Sequence, residues 1–169
     1  HLRPHSIYAD MNAASAQVKA QAAAVVADSG VDFADVAVVG SVPANGAATS
    51  LVISGSGSTR AAQYFRQLGA GVEDIGGAPG DASNRKLLRS AFMKGLGALI
   101  IESDAAARAA GAQQWVREQM AAELAGGFAA LDRLHDGTVQ HAPRRSVEMA
   151  ASVALLDSPR ARPALAPGR

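Results

Sequence analysis

A lysine does acid–base chemistry when water is partly excluded around it and a reacting group is held beside it. Lys86 sits in a stretch suited to both, Gly76-Gly77-Ala-Pro-Gly80-Asp-Ala-Ser-Asn-Arg-Lys86-Leu-Leu-Arg89-Ser90. The three glycines permit a tight turn and a close backbone approach, and a helix opening after them offers its first amides to an anion such as a substrate carboxylate. On a helical wheel Leu88, Ala91, Phe92, Gly95 and Leu99 form one stripe, expected to face a core, while Lys86, Ser90, Met93 and Lys94 lie opposite. Arg89 is less than a quarter turn from the Lys86 direction, so its guanidinium is able to pair with a carboxylate or phosphate in the same cleft. The plainer readings are that Lys86, Arg89 and Lys94 are solvated surface charges, Ser90 a tolerated polar residue and the glycine turn a hinge. The hinge reading is compatible with a catalytic one.

A second glycine turn, Gly55-Ser-Gly57-Ser-Thr-Arg60, follows a predicted strand and opens a predicted helix, with Glu73 and Asp74 about 20 residues on, where a ribose-binding acid of a dinucleotide fingerprint belongs. Arg60 stands where the third glycine should, so a helix start capped by Ser58 is the favoured reading. His1, His5, His135 and His141 have no metal-ligand spacing, and with no cysteine there is no thiolate nucleophile, disulfide or cysteine-held metal. No metal site is expected. Sixteen basic against fifteen acidic residues, unclustered, argue against nucleic acid, and no apolar run reaches the roughly 20 residues that cross a bilayer.

The elements that must position these groups alternate over the first part of the chain. Residues 6–11 read as a short strand and residues 14–28 as an alanine-rich helix, with Ser15 as N-cap and Gly30 as stop. Residues 33–39 are an almost unbroken apolar run, expected as a strand buried on both faces of a parallel sheet. A turn at 43–46, a strand at 49–54, a helix at 58–68 and a strand at 71–75 follow, an α/β order. Beyond residue 79 only helices are predicted, at 82–110, 112–125, 128–134 and 146–156, before a flexible tail at 158–169. Trp115, Met93, Met120 and Met149 fall in helical patterns where core or subunit packing is the default.

Taken together, the order of elements and the motif residues resemble the β-hydroxyacid dehydrogenases and 6-phosphogluconate dehydrogenase. That group carries a turn of the form Gly-x-x-Gly-x-x-x-x-x-Lys-x-x-x-Asn at the entry to an all-helical second domain. The spacing here matches from Gly77 through Lys86, with Ser90 in place of the Asn. Asp10-Met-Asn12-Ala13 resembles the group's Asp-x-Ser-Thr segment beside the nicotinamide, and Val39-Gly40-Ser41 falls on its Ser-Gly-Gly substrate loop. Tyr8-Ala-Asp-Met-Asn-Ala13 and Met93-Lys-Gly-Leu96 are similar to a subgroup with a phosphogluconate-dehydrogenase-type nucleotide domain and a distinct helical C-terminal domain.

The resemblance implies the C-terminal part of a Rossmann-like domain, residues 1–76, joined to a helical substrate and dimerisation domain, residues 77–157. It implies an NAD- or NADP-dependent oxidoreductase acting on a hydroxy acid or related small molecule, cytoplasmic and homodimeric. Lys86 would be the general acid/base, Asn12 would lie at the cofactor, and Gly40, Ser41, Arg89 and Ser90 at the substrate. The pyrophosphate-binding glycine loop would lie upstream of His1, so this chain alone is expected to be inactive. An imine-reducing relative would carry another proton donor at the lysine position, against which Lys86 argues. The alternative from another class is a non-catalytic helical oligomerisation or binding module derived from such an enzyme.

Overall fold

The computed structural model describes residue 3 and residues 5–156. His1 and the tail at 158–169 lie outside the described residues. Four strands, β1 (Ile7–Asp10), β2 (Asp32–Val38), β3 (Leu51–Ser54) and β4 (Val72–Gly76), form one sheet in the order β1-β2-β3-β4. β1 pairs with β2 and β3 with β4 in parallel, whereas β2 and β3 run antiparallel. β2 is buried from Phe33 to Ala37 as its apolar run predicts, but the sheet around it is mixed, not parallel. The reason lies in the connections. The connection from β2 to β3 holds a short helix α2 (Val42–Asn45) and the 3-10 turn Gly46–Ala48 but no long helix to carry the chain back across the sheet, of the kind that joins each parallel pair. The turn expected at 43–46 is this helical turn, with Pro43 at its start where a missing N–H costs nothing.

The parallel pairs are joined by true crossovers. α1 (Ala16–Ala27) links β1 to β2, its Ser15 hydroxyl accepting from the Val18 N–H. α3 (Ser58–Gln67) links β3 to β4. Side-chain alternation along the strands divides the core. Ala34, Val36, Leu51 and Ile53 pack on Ala61 and Ala62 of α3. Ala37 and Val52, on the opposite face, pack with Ala82 at the start of α4 (Asp81–Ala109). The N-cap of α3 is Gly57, without a side-chain cap hydrogen bond, and Ser58 is buried in the first turn rather than capping it.

Two compact units result, His1–Phe92 and Met93–Arg169. Strands end at Gly76, but the first turns of α4 belong with the sheet because Ala82 and Ser83 bond to it. Besides the remainder of α4, the second unit contains α5 (Gln113–Ala125), α6 (Gly127–Gln140) and α7 (Ala142–Leu156). α6 and α7 are longer than their apolar patterns predict, α7 opening on Ala142-Pro143, where proline suits a first turn. Asp104 joins the end of α4 to α5, accepting from Gln113 and pairing with Arg108 and Arg117. Those hydrogen bonds, led by Gln113, hold its carboxyl below the usual aspartate value.

Candidate functional site

The strand registers place one polar row across the sheet. Asp10 on β1 is opposite Asp35 on β2, Asp35 is opposite Ser54 on β3, and Ser54 is opposite Gly76 on β4. Register partners share a face, so the row faces α1 and the start of α4. Lys19 of α1 reaches into it and is 0% exposed, as is Asp35. Its ammonium donates to the Asp10 carbonyl at 3.0 Å and pairs with Asp10 Oδ2 at 3.0 Å and Asp35 Oδ1 at 3.2 Å. Three oxygens therefore meet its three N–H donors, so none of them is left without a partner.

The remaining carboxylate positions hold the neighbouring segments. Ser83 donates its N–H to Asp35 Oδ2 and its hydroxyl to Asp35 Oδ1, both at 2.8 Å, and the Ala82 N–H donates to Ser54 Oγ at 3.0 Å. On the other side Asn12 donates its N–H at 3.0 Å and its carboxamide N–H at 2.8 Å to Asp10 Oδ1. Burial opposes ionisation of Asp10, but the Asn12 backbone, Lys19 and Asn12 side-chain hydrogen bonds and the lysine charge outweigh it and lower its pKa.

This arrangement corrects two expectations. The first amides of α4 are not free for an anion: those of Asp81 and Asn84 bond within the turn, and those of Ala82 and Ser83 to the sheet. The apolar stripe of the same helix is not its buried face either, since Leu88, Phe92 and Leu99 are exposed, Leu88 by 74%. Instead Ser83 is buried, and Lys86 and Ser90, three and seven residues on and hence on the same side, are half-buried. Polar anchoring by Ser83 overrides the wheel.

Lys86 therefore stands one turn beyond a fixed helix start, partly covered, and among the described residues it has no hydrogen-bonded or ion-pair partner. Arg89 is exposed and also makes no ion pair among the described residues. Asn12 is exposed and, through Asp10, Lys19, Asp35 and Ser83, belongs to the network that holds the helix bearing Lys86. Gly40 and Ser41 lie past the far end of β2, exposed, and no described hydrogen bond links them to Lys86. Lys19 was not legible as a site residue, since a lone lysine in an alanine-rich helix carries no spacing signal.

The glycine turn at 55–57 serves the sheet. Gly55 has φ +100°, and a Cβ there would lie 2.6 Å from the Phe33 carbonyl oxygen. The Gly57 N–H donates to that oxygen at 2.9 Å, and Ser56 Oγ accepts from the Phe33 N–H at 3.0 Å. Asp74 accepts from Thr59 and the Gly76 N–H, while Glu73 pairs with Arg85, so neither acid is spare for a ribose. These residues do not fit a pyrophosphate-binding loop. No group of three or more possible metal ligands occurs among the described residues.

Comparison with solved structures follows this architecture. A conserved protein of unknown function, MTH1747, whose structure is described as similar to 3-hydroxyacid dehydrogenases, is 32% identical over 89% of this chain and 57% of its own, with a TM-score of 0.61. A conserved hypothetical protein from Sinorhizobium meliloti is 27% identical, covering 92% of this chain and 55% of its own, with a TM-score of 0.56. An imine reductase from Myxococcus stipitatus in complex with NADP+ shares the fold at 19% identity, with a TM-score of 0.72 over 90% of this chain and 60% of its own. Residues 107–168 match the family model described as a domain of unknown function, DUF1932. No curated protein matches. The chain thus spans somewhat over half the length of the solved structures it matches, and it follows a Rossmann-like run of strands and helices with a helical region.

Proposed function

We propose that this chain carries the proton-transfer part of an NAD- or NADP-dependent oxidoreductase site, with Lys86 as general acid/base. The observation behind it is the placement of Lys86: half-buried, without an ion-pair partner among the described residues, and on the side of α4 that Ser83 turns to the sheet. A lysine with no competing carboxylate is available to take a proton from a substrate hydroxyl or return it to a carbonyl. The nicotinamide would supply the hydride chemistry. Asn12 spends its carboxamide N–H on Asp10, which leaves its carbonyl oxygen to accept from the cofactor's carboxamide. Arg89 and Ser90 follow Lys86 on the same helix and are assigned, with Gly40 and Ser41, to a small hydroxy acid or related substrate. Residues 1–76 and 77–157 are proposed as nucleotide and helical domains, in a cytoplasmic homodimer. No helix among the described residues is long and apolar enough to cross a membrane.

The test uses the full polypeptide that contains this chain. Lys86→Ala should abolish nicotinamide-coupled turnover and leave cofactor affinity nearly unchanged; retained turnover removes Lys86 from the mechanism. The second reading, a helical oligomerisation module, draws on the exposed apolar residues of the second unit, among them Trp115, Leu124 and Phe128. It predicts self-association with no nicotinamide-coupled turnover from the unaltered protein.

A further inference from the structure

We propose that Lys19 is a positioning residue: its buried ammonium couples the turn bearing Asn12 to the start of the helix bearing Lys86, so that disturbing one end of the chain of contacts moves the other. The assignment of Asn12 and Lys86 to a reaction rests on the function proposed above, whereas the coupling rests on geometry alone.

The contacts form an unbroken line from Asn12 to Asp10, Lys19, Asp35 and Ser83. Every link involves a charged side chain, and a hydrogen bond of that kind is stronger than one between neutral groups. The two carboxylates use both of their oxygens: Asp10 Oδ1 takes Asn12 and Oδ2 takes Lys19, while Asp35 Oδ1 takes Lys19 and the Ser83 hydroxyl and Oδ2 takes the Ser83 N–H. Among the described residues no buried side-chain polar atom is left without a partner. A fully satisfied network in a low-dielectric setting favours one arrangement, and loss of a member leaves a carboxylate oxygen or the ammonium short of a partner, which draws the others out of place. Hydrophobic packing could fasten α4 to the sheet, as Ala82 does, but it would not tell the Asn12 turn where the helix starts. The ammonium does so because it holds the two strand carboxylates at once.

Amide hydrogen exchange on the full polypeptide reads this coupling, with Ser83→Ala and Lys19→Met as variants. Ser83→Ala removes one hydroxyl and should speed exchange at the Asn12 amide about tenfold, although no described hydrogen bond joins Asn12 to Ser83, while amides of Ile53 and Ala62 on the α3 side keep their protection. Lys19→Met should speed exchange at both Asn12 and Ser83. Should that variant fail to fold, Ser83→Ala and its reverse, Asn12→Ala read at the Ser83 amide, decide the matter. An Asn12 amide unmoved by Ser83→Ala, or protection lost evenly over the whole sheet, overturns the proposal. In the turnover assay Ser83→Ala should lower kcat severalfold with KM for the nicotinamide nucleotide little changed. If the unaltered protein shows no such turnover, the proposed function fails while the exchange result still decides the coupling.

Discussion

A buried ammonium between two carboxylates is hard to replace. Lys19→Met leaves Asp35, fully buried, beside an apolar side chain, and removing one partner of such a pair typically costs about 3–5 kcal/mol. Chemical denaturation should show that loss, and adding Asp35→Asn should recover part of it, because the uncompensated charge is then gone. The network also sets a pH dependence. Asp10 has a lowered pKa in the folded chain, so its contribution is complete above the ordinary aspartate value of about 3.9 and is lost as pH falls through the lower folded value. Urea midpoints should therefore decline below about pH 4, and Asp10→Asn should flatten that limb. Lys86 differs in kind: without a described partner, its substitution should change turnover and leave the denaturation midpoint almost where it was.

At the scale of elements, Gly80 lets two of them meet. Its φ is +106°, and a Cβ there would lie 2.6 Å from the Ala16 Cα, so α4 starts against the first residue of α1. Gly80→Ala should cost about 1–3 kcal/mol from the backbone conformation alone, with further cost from the clash, and should also loosen the Ser83 amide in exchange. Calorimetry of the variant checks this, and an unchanged melting temperature would count against the contact. The elements themselves were largely legible in the sequence: Ser15 and Gly30 bracket α1 as read, and the apolar run of β2 is buried from Phe33 to Ala37. The antiparallel β3 was not, because strand direction depends on the length and path of a connection that carries no periodicity. The burial of α4 was misread for a related reason. A wheel counts apolar side chains, and this helix is held to the sheet at its start by a serine and two backbone amides. Of the site, the glycine turn and Lys86 could be picked out from their spacing and from the family resemblance. Lys19 became visible only once β1 and β2 were placed side by side.

Across the whole molecule, the second unit exposes much apolar surface, with Phe128 exposed by 84% and Leu124, Leu131 and Leu134 also uncovered. So many exposed apolar side chains on the consecutive helices α5 and α6 suit an interface. Sedimentation should give a mass that rises toward twice the monomer with concentration, and Leu124→Glu with Phe128→Glu should return it to one chain. A monomer mass independent of concentration rules out the proposed homodimer.

The sheet raises a separate matter for anyone handling this polypeptide. β1 pairs with β2 on one side, and among the described residues its other side carries no strand. The outward N–H and C=O groups of a strand in that position are a template for any extended segment that arrives, in register or out of it. The strand is only four residues long and ends at Asp10, which limits how long such a mismatched ladder can grow. Preparations of these residues by themselves should therefore be sticky through backbone as well as through helix faces. Glutamate substitutions on α5 and α6 would solubilise only the second kind of adhesion.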